Sequence, residues 1–108
     1  MTGEPHPVQP TVKITVVGGH QAEMTLSGDV SALLLRDLEA RLADARLQQV
    51  EHWVLNMDTV TRIELACAYA LLRAVTGHPG TAAVRGARRT VLRTLRHAGL
   101  DKAAAIDA

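Results

Sequence analysis

The segment from 53 to 73, WVLNMDTVTRIELACAYALLR, constrains the fold of this chain more than any other part of it. The run from His52 to Met57 has almost no polar interruption, which is typical of a strand covered on both faces and flanked by parallel neighbours. Glu64 to Thr76 then has helical spacing that ends at Gly77 and Pro79. A strand, a short turn and a helix in this order predict an α/β domain.

Five further elements follow from the hydrophobic pattern. Thr11 to Val17 alternates apolar and polar residues as a strand does, and the glycine pair after it allows the positive φ values of a tight hairpin. The others are a strand at Gln21–Leu26, a helix at Ala32–Gln48, a short strand at Thr81–Val84 and a helix at Ala87–Ala98. We therefore predict an α/β fold: a small mixed β-sheet of about four strands with helices packed mainly on one face.

Length and composition indicate one domain and limit its chemistry. A chain of 108 residues is the size of a single core, which we place at 11–108 after a flexible leader at 1–10 that holds three prolines. No apolar run could span a bilayer or act as a secretory signal, so a cytoplasmic protein is expected. A lone cysteine, Cys67, and five histidines without an i, i+4 pair predict no disulfide, metal or cofactor.

The residues between the buried strand and the next helix favour recognition over catalysis. Asp58, Thr59 and Thr61 are turn residues whose side chains can bond to nearby amides, and Arg62 follows them. The carboxylate of Glu64 is stabilised by the unpaired amides and the dipole at the start of a helix, which explains this residue without a functional role. The sequence contains no nucleophile–base set, paired carboxylates or glycine-rich phosphate motif, so we do not expect an enzyme.

Three segments carry a family resemblance. GDVSALLLRDLEARL, WVLNMDTVTRIELACAYALLRAV and RRTVLRTLRHAGLDKAAAI resemble, over most of 12–106, the STAS domain of bacterial anti-sigma-factor antagonists. The resemblance implies the STAS fold and a protein partner, such as a kinase-like anti-sigma factor. The family typically opens its second helix with Asp-Ser-Ser-Gly, and in members that are switched the second serine accepts a phosphate from a partner kinase. This chain has Glu64-Leu65-Ala66-Cys67 there. The resemblance thus implies docking without the phosphoserine switch, because Ala66 has no hydroxyl.

The same resemblance is also compatible with a second role, as a subunit of a larger assembly. STAS domains of this kind accompany lipid ABC transporters or stress-signalling complexes. A homodimer is also open. In a regulator the partner would be bound and released, whereas in an assembly the same face would be permanently occupied.

Helical projection predicts which side of the second helix meets a partner. It turns Leu65, Ala68, Tyr69, Leu72 and Val75 towards the core and leaves small side chains outside. The predicted partner-binding residues are Asp58, Thr59, Thr61, Arg62, Glu64, Ala66, Cys67, Ala70 and Arg73. On this basis Ala70→Glu should keep the fold and abolish binding. The alanines also have a simpler explanation, since alanine is the best helix former at exposed positions, and Cys67 is predicted to be a packing residue more than a reactive thiol.

Arginines form a second candidate surface. Residues 65–100 contain six arginines and no acid, although the net charge of the chain is only +1. Arg89, Arg93 and Arg96 share one stripe of the third helix, with Arg85 just before it. Such a patch can bind nucleic-acid phosphates or steer an acidic protein partner. The near-neutral charge and the lack of aromatics for stacking bases argue against nucleic acid.

Overall fold

The computed structural model describes residues 10–107 of the chain, so most of the predicted leader lies outside the described residues. Its five strands are β1 (Thr11–Val17), β2 (Gln21–Val30), β3 (His52–Ile63), β4 (Thr81–Arg85) and β5 (Ala105–Asp107). Its four α-helices are α1 (Leu35–Leu42), α2 (Ala45–Gln48), α3 (Leu65–Gly77) and α4 (Arg89–Ala98). Short 3-10 turns at Ala32–Leu34 and Leu100–Lys102 complete the described elements.

The sheet follows the order of the chain, β1-β2-β3-β4-β5. β1 and β2 are antiparallel, and every later pair is parallel. Gly18 and Gly19 join the first two strands with φ of 69° and 76°, values that residues with a side chain rarely adopt. The predicted hairpin is therefore confirmed.

The core lies between the helices and one face of the sheet. Alternate residues of the strands, such as Met24, Leu55 and Val84, share a buried cluster with Leu38 of α1 and Leu95 of α4. Since strand side chains alternate between faces, helices that all join this cluster cover the same side. The predicted α/β fold with helices on one face is confirmed, with one strand more than expected.

The single tryptophan closes one end of this core. Trp53 is buried, its Nε1 donates to the Leu47 carbonyl at 2.8 Å, and its ring stacks on His78 with the centroids 4.1 Å apart. The hydrogen bond satisfies the indole N–H that burial removes from water. It also ties β3 to α2.

The first helical segment is not the single helix predicted at Ala32–Gln48. α1 ends at Leu42 and α2 begins at Ala45, with Asp44 between them as the N-cap. The Asp44 carboxylate accepts from the Arg46 backbone N–H at 2.8 Å and pairs with its guanidinium at 2.9 Å. These hydrogen bonds lower the pKa of Asp44 to about 2. A helix breaks at such a residue because its side chain competes for backbone N–H groups.

The predicted turn at Asp58–Arg62 is wrong, because β3 runs on to Ile63 beside an equally extended β2. Two register shifts between these strands absorb the irregular pairing, one at Thr25/Ser27 and one at Gly28/Asp29. The β-branched run Thr59-Val60-Thr61 fits an extended strand better than a turn. The β-branched run was therefore a local signal for a strand, and pairing with β2 extends β3 to Ile63.

Candidate functional site

The junction between β3 and α3 is held by backbone hydrogen bonds. The Glu64 N–H donates to the Val30 carbonyl at 2.9 Å, and the Glu64 carbonyl accepts from Cys67 and Ala68 at 3.0 and 3.1 Å. Glu64 is the N-cap residue of α3, but its side chain makes no capping hydrogen bond. The carboxylate therefore points to other partners at the surface.

Arg62 gathers two carboxylates beside this junction. Its guanidinium lies 3.5 Å from Asp29 at the end of β2 and 3.8 Å from Glu64. All three side chains are at least one-third exposed. Exposed pairs of this kind contribute little to stability, and they place positive and negative charge together at the start of α3.

The predicted faces of α3 are wrong for four residues. Cys67 and Ala70, predicted to face outwards, are only 0% and 3% exposed, whereas Leu65 and Tyr69, predicted to face the core, are 37% and 39% exposed. α3 contacts α1 and α4 as well as the sheet-side core, so its flanks are buried too. Small side chains allow the close approach on these flanks. Cys67 and Ala70 therefore expose almost no surface, and Ala70 reaches solvent only where it lines a shallow depression of about 280 Å³ beside Arg73.

The thiol of Cys67 is a packing group. Its Sγ donates to the Ser31 carbonyl at 3.2 Å. Burial raises the pKa of the Cys67 thiol, and the negative charges of Glu64, Asp29 and Glu39 raise that pKa further. A thiol that stays protonated is a poor nucleophile. The prediction of a packing residue is confirmed.

Exposed apolar side chains surround the start of α3. Leu33 is 97% exposed on the 3-10 turn that follows β2, and this turn contacts α3. Leu65 and Tyr69, one helical turn apart, are partly exposed on α3 itself, and Ala66 between them is exposed. We call Leu33, Leu65, Ala66 and Tyr69, together with Arg62, the α3 surface.

An open groove of about 610 Å³ runs from the α3 surface to α4. It brings together three of the predicted site residues, Arg62, Glu64 and Ala66. Arg93, predicted to belong to a separate patch, also lines it. The full lining is Arg62, Ile63, Glu64, Leu65, Ala66, Arg93, Thr94 and His97. Sequence reasoning missed His97 and Leu65 as site residues, although His97 follows Arg93 by one helical turn and Leu65 adjoins the position that matches the family serine.

The other predicted site residues do not line this groove. The Asp58 N–H donates to the Asn56 Oδ1 at 3.0 Å, and the Thr59 hydroxyl donates to the Ser27 hydroxyl at 2.9 Å. Thr61 is exposed on the same strand. Arg73, further along α3, pairs with Glu39 of α1 at 3.7 Å.

The position of Asp58 also explains why residue 86, on the loop after β4, is a glycine. Gly86 has φ of 74°, and a Cβ placed there would overlap the carboxylate of Asp58. Only glycine permits both the backbone conformation and the close approach. Asp58 is thus fitted against the loop after β4, and not against the groove.

The arginine stripe of α4 is present as predicted. Arg85, Arg89, Arg93 and Arg96 are all exposed. Three of them, Arg89, Arg93 and Arg96, line a second pocket of about 440 Å³ with Leu92. Because Arg93 lines this pocket as well as the groove, the two depressions adjoin.

Within residues 10–107, no group of three or more His, Cys, Asp or Glu side chains is placed to hold a metal ion. No helix in this part of the chain is long and apolar enough to cross a membrane.

Comparison with known proteins gives one family. No curated protein sequence matches the chain. The family model described as "Mlab, STAS domain" matches residues 16–106, which is most of the chain.

Solved structures show the same fold. An anti-sigma factor antagonist from Mycobacterium paratuberculosis is 16% identical with a TM-score of 0.73, and the match covers 97% of this chain and 89% of that one. The Bacillus cell fate determinant SpoIIAA in its phosphorylated form is 14% identical with a TM-score of 0.68, covering 91% and 92%. Unphosphorylated SpoIIAA, also an anti-sigma factor antagonist, is 13% identical with a TM-score of 0.65, covering 80% and 82%. The family model confirms the resemblance that the sequence suggested, and the chain belongs to the STAS domain family.

Proposed function

We propose that this STAS domain is a non-catalytic docking domain that binds a partner protein through the α3 surface and the groove beside it. The observation that carries the proposal is the exposure of Leu33, Leu65 and Tyr69 around the start of α3. Scattered apolar side chains are normal on a protein surface, but a group of them rimmed by polar residues is typical of an interaction site. Here Arg62, Glu64 and His97 line the groove together with Leu65.

The absence of a hydroxyl at Ala66 supports constitutive docking. In the family, the matching serine accepts a phosphate, which would add about −1.5 to −2 charges at neutral pH. Ala66 is exposed at this position and lines the groove. Its methyl group leaves the surface uncharged there at all times, so binding would be set by expression and affinity and not by phosphorylation of this residue.

The groove also favours binding over reaction. Its polar side chains, Arg62, Glu64, Arg93, Thr94 and His97, are exposed or only partly buried. Catalytic groups are generally tuned by burial and by a specific charged partner. The similar antagonist structures suggest an anti-sigma factor as the partner class, in a cytoplasmic setting.

A permanently occupied subunit of a larger assembly is the second candidate, and the near-complete exposure of Leu33 supports it. In an assembly a partner would cover Leu33 at all times and remove this apolar side chain from water. An obligate subunit made alone should self-associate, whereas an exchanging regulator should remain monomeric. Size-exclusion chromatography with light scattering distinguishes the two, and a defined dimer in place of larger aggregates would instead favour the homodimer that the sequence left open.

The docking proposal is tested by affinity capture from a lysate of the source cells with three forms of the chain. They are wild type, Ala66→Glu on the α3 surface, and Ala40→Glu, which makes the same change at an exposed alanine of α1. We expect wild type and Ala40→Glu to capture the same protein and Ala66→Glu to lose it, with all three equally folded by circular dichroism. Equal capture by all three forms would remove the α3 surface as the docking site.

A further inference from the structure

α4 presents a basic face that the α3 surface does not include. Arg89, Arg93 and Arg96 recur at i, i+4 and i+7 and therefore lie along one side of the helix. The opposite side holds Val91 and Leu95, which are buried in the core. α4 thus has no apolar face left to insert into a bilayer, and what it offers outwards is a row of guanidinium groups.

Within the described residues, Arg89, Arg93 and Arg96 differ from most other arginines by having no carboxylate within salt-bridge distance. Four arginines elsewhere lie within 4.0 Å of a carboxylate: Arg41, Arg46, Arg62 and Arg73. Among residues 10–107, none of the carboxylates comes within that distance of Arg85, Arg88, Arg89, Arg93 or Arg96. Like charges gathered on one helix repel each other, so an external anion would relieve this repulsion.

The pocket on this face combines one apolar side chain with three basic ones. Leu92 is partly buried and lines the pocket together with the three exposed arginines. Arg93 belongs both to this pocket and to the groove at the start of α3. A partner lying in the groove can therefore extend onto α4 without leaving the surface.

We propose that this basic face of α4 binds an acidic helical segment of the docked partner, with carboxylates spaced one turn apart facing Arg89, Arg93 and Arg96. The inference rests on the proposed docking function and names the chemistry of the partner. Guanidinium groups bind carboxylates through paired N–H donors, which fixes geometry as well as charge. Single-stranded nucleic acid is disfavoured because the pocket contains no aromatic side chain on which bases could stack.

The test uses the full chain and defined probes, so it does not depend on finding the partner. A fluorescent helical peptide carries glutamates at i, i+4 and i+7 beside one leucine, and a matched peptide carries glutamines instead. Fluorescence anisotropy at low salt compares wild type with the triple variant Arg89→Gln/Arg93→Gln/Arg96→Gln. The control variant Lys13→Gln/Arg36→Gln/Lys102→Gln removes the same charge from exposed positions elsewhere.

We expect wild type and the control variant to bind the glutamate peptide about tenfold more tightly than the α4 variant does, the change expected when several exposed charge contacts are lost together. The glutamine peptide should bind all three forms weakly. Equal loss in both triple variants, or equal binding of the two peptides, would overturn the inference. Tighter binding of duplex DNA, or of vesicles of phosphatidylglycerol and phosphatidylcholine, than of the glutamate peptide would also overturn it.

Failure of this inference can be told apart from failure of the docking proposal. If the docking proposal fails, Ala66→Glu captures the same proteins as wild type, whatever the peptides do. If only the inference fails, Ala66→Glu abolishes capture while the α4 variant binds the glutamate peptide as wild type does.

Discussion

The two sides of α3 are made of similar residues but have different surroundings. The side that carries Cys67, Ala70 and Leu71 is buried, and the side that carries Leu65, Ala66 and Tyr69 is exposed. The exposed side has the larger apolar residues on average, although hydrophobicity would place them inside. The difference teaches that the neighbours of this helix, and not its own composition, decide which side is covered.

The physical reason is the position of α3 between two other helices. It contacts α1 on one flank and α4 on the other, and it also covers the sheet. A central helix of this kind is buried around more of its circumference than an amphipathic helix at the edge of a layer. Alanine and cysteine fit the flanks because they allow adjacent helices to approach closely.

The largest expected effect comes from placing a charge on the buried side. Ala70→Glu should lower the free energy of unfolding by about 3–5 kcal/mol, because the new carboxylate would be buried without a partner. Urea denaturation followed by circular dichroism measures the change. Ala66→Glu, the same substitution on the exposed side, should change that free energy by less than about 0.5 kcal/mol.

Equal stability of these two variants would contradict the assigned burial. The prediction that Ala70→Glu destabilises the fold replaces the expectation from helical projection that this variant would leave the fold intact. A loss of partner binding in that variant would report unfolding and not a contact, so it cannot serve to locate the docking site.

A smaller difference is expected from removing a side chain. Leu71→Ala should lower the free energy of unfolding by about 3 kcal/mol, because Leu71 is fully buried and its removal leaves a cavity. Leu65→Ala should cost under about 1 kcal/mol because its side chain is already partly in solvent. Urea midpoints of the two variants give the comparison, and a larger loss for Leu65→Ala would show that the two sides had been exchanged.

The smallest effect concerns thiol chemistry and leaves the fold unchanged. Burial raises the pKa of the Cys67 thiol, and a reagent can reach this thiol only after local opening of the fold. Its reaction with iodoacetamide at mildly alkaline pH should therefore be at least about tenfold slower in the native chain than in urea. The double variant Cys67→Ala/Ala66→Cys moves the thiol to the exposed side and should react at nearly the denatured rate. Mass spectrometry of timed samples measures both, and equally fast labelling of the two native proteins would contradict the burial of Cys67.

Much of the fold could be predicted from the sequence because strands and helices here follow clear periodicities. The alternation in β1 and the apolar run at the start of β3 each identify a strand, and the spacing of Val91, Leu95 and Ala98 identifies the inner side of α4. β5 was missed because Ala105–Asp107 has three residues and no alternation. It exists through its pairing with β4, which is a property of the whole sheet.

The candidate site was harder to predict, because it depends on which residues the fold brings together. Arg62 and Glu64 were expected at the start of α3, but the approach of Arg93 and His97 from α4 follows only from the packing of two helices. Ala70 was misplaced since alanine is compatible with both a buried flank and an exposed surface. A pattern based on hydrophobicity carries no information about such a residue.

The strand order of the sheet has a consequence for how the chain reaches its native state. Each strand lies beside the strand that precedes it in the sequence, so no pairing has to wait for a distant part of the chain. A polypeptide emerging from the ribosome could form the β1–β2 hairpin first and pair β3 with β2 once α1 and α2 have been made. The sheet could then be extended by one strand at a time. The last and shortest strand, β5, would then join at the edge, after the core beneath α3 and α4 is already closed.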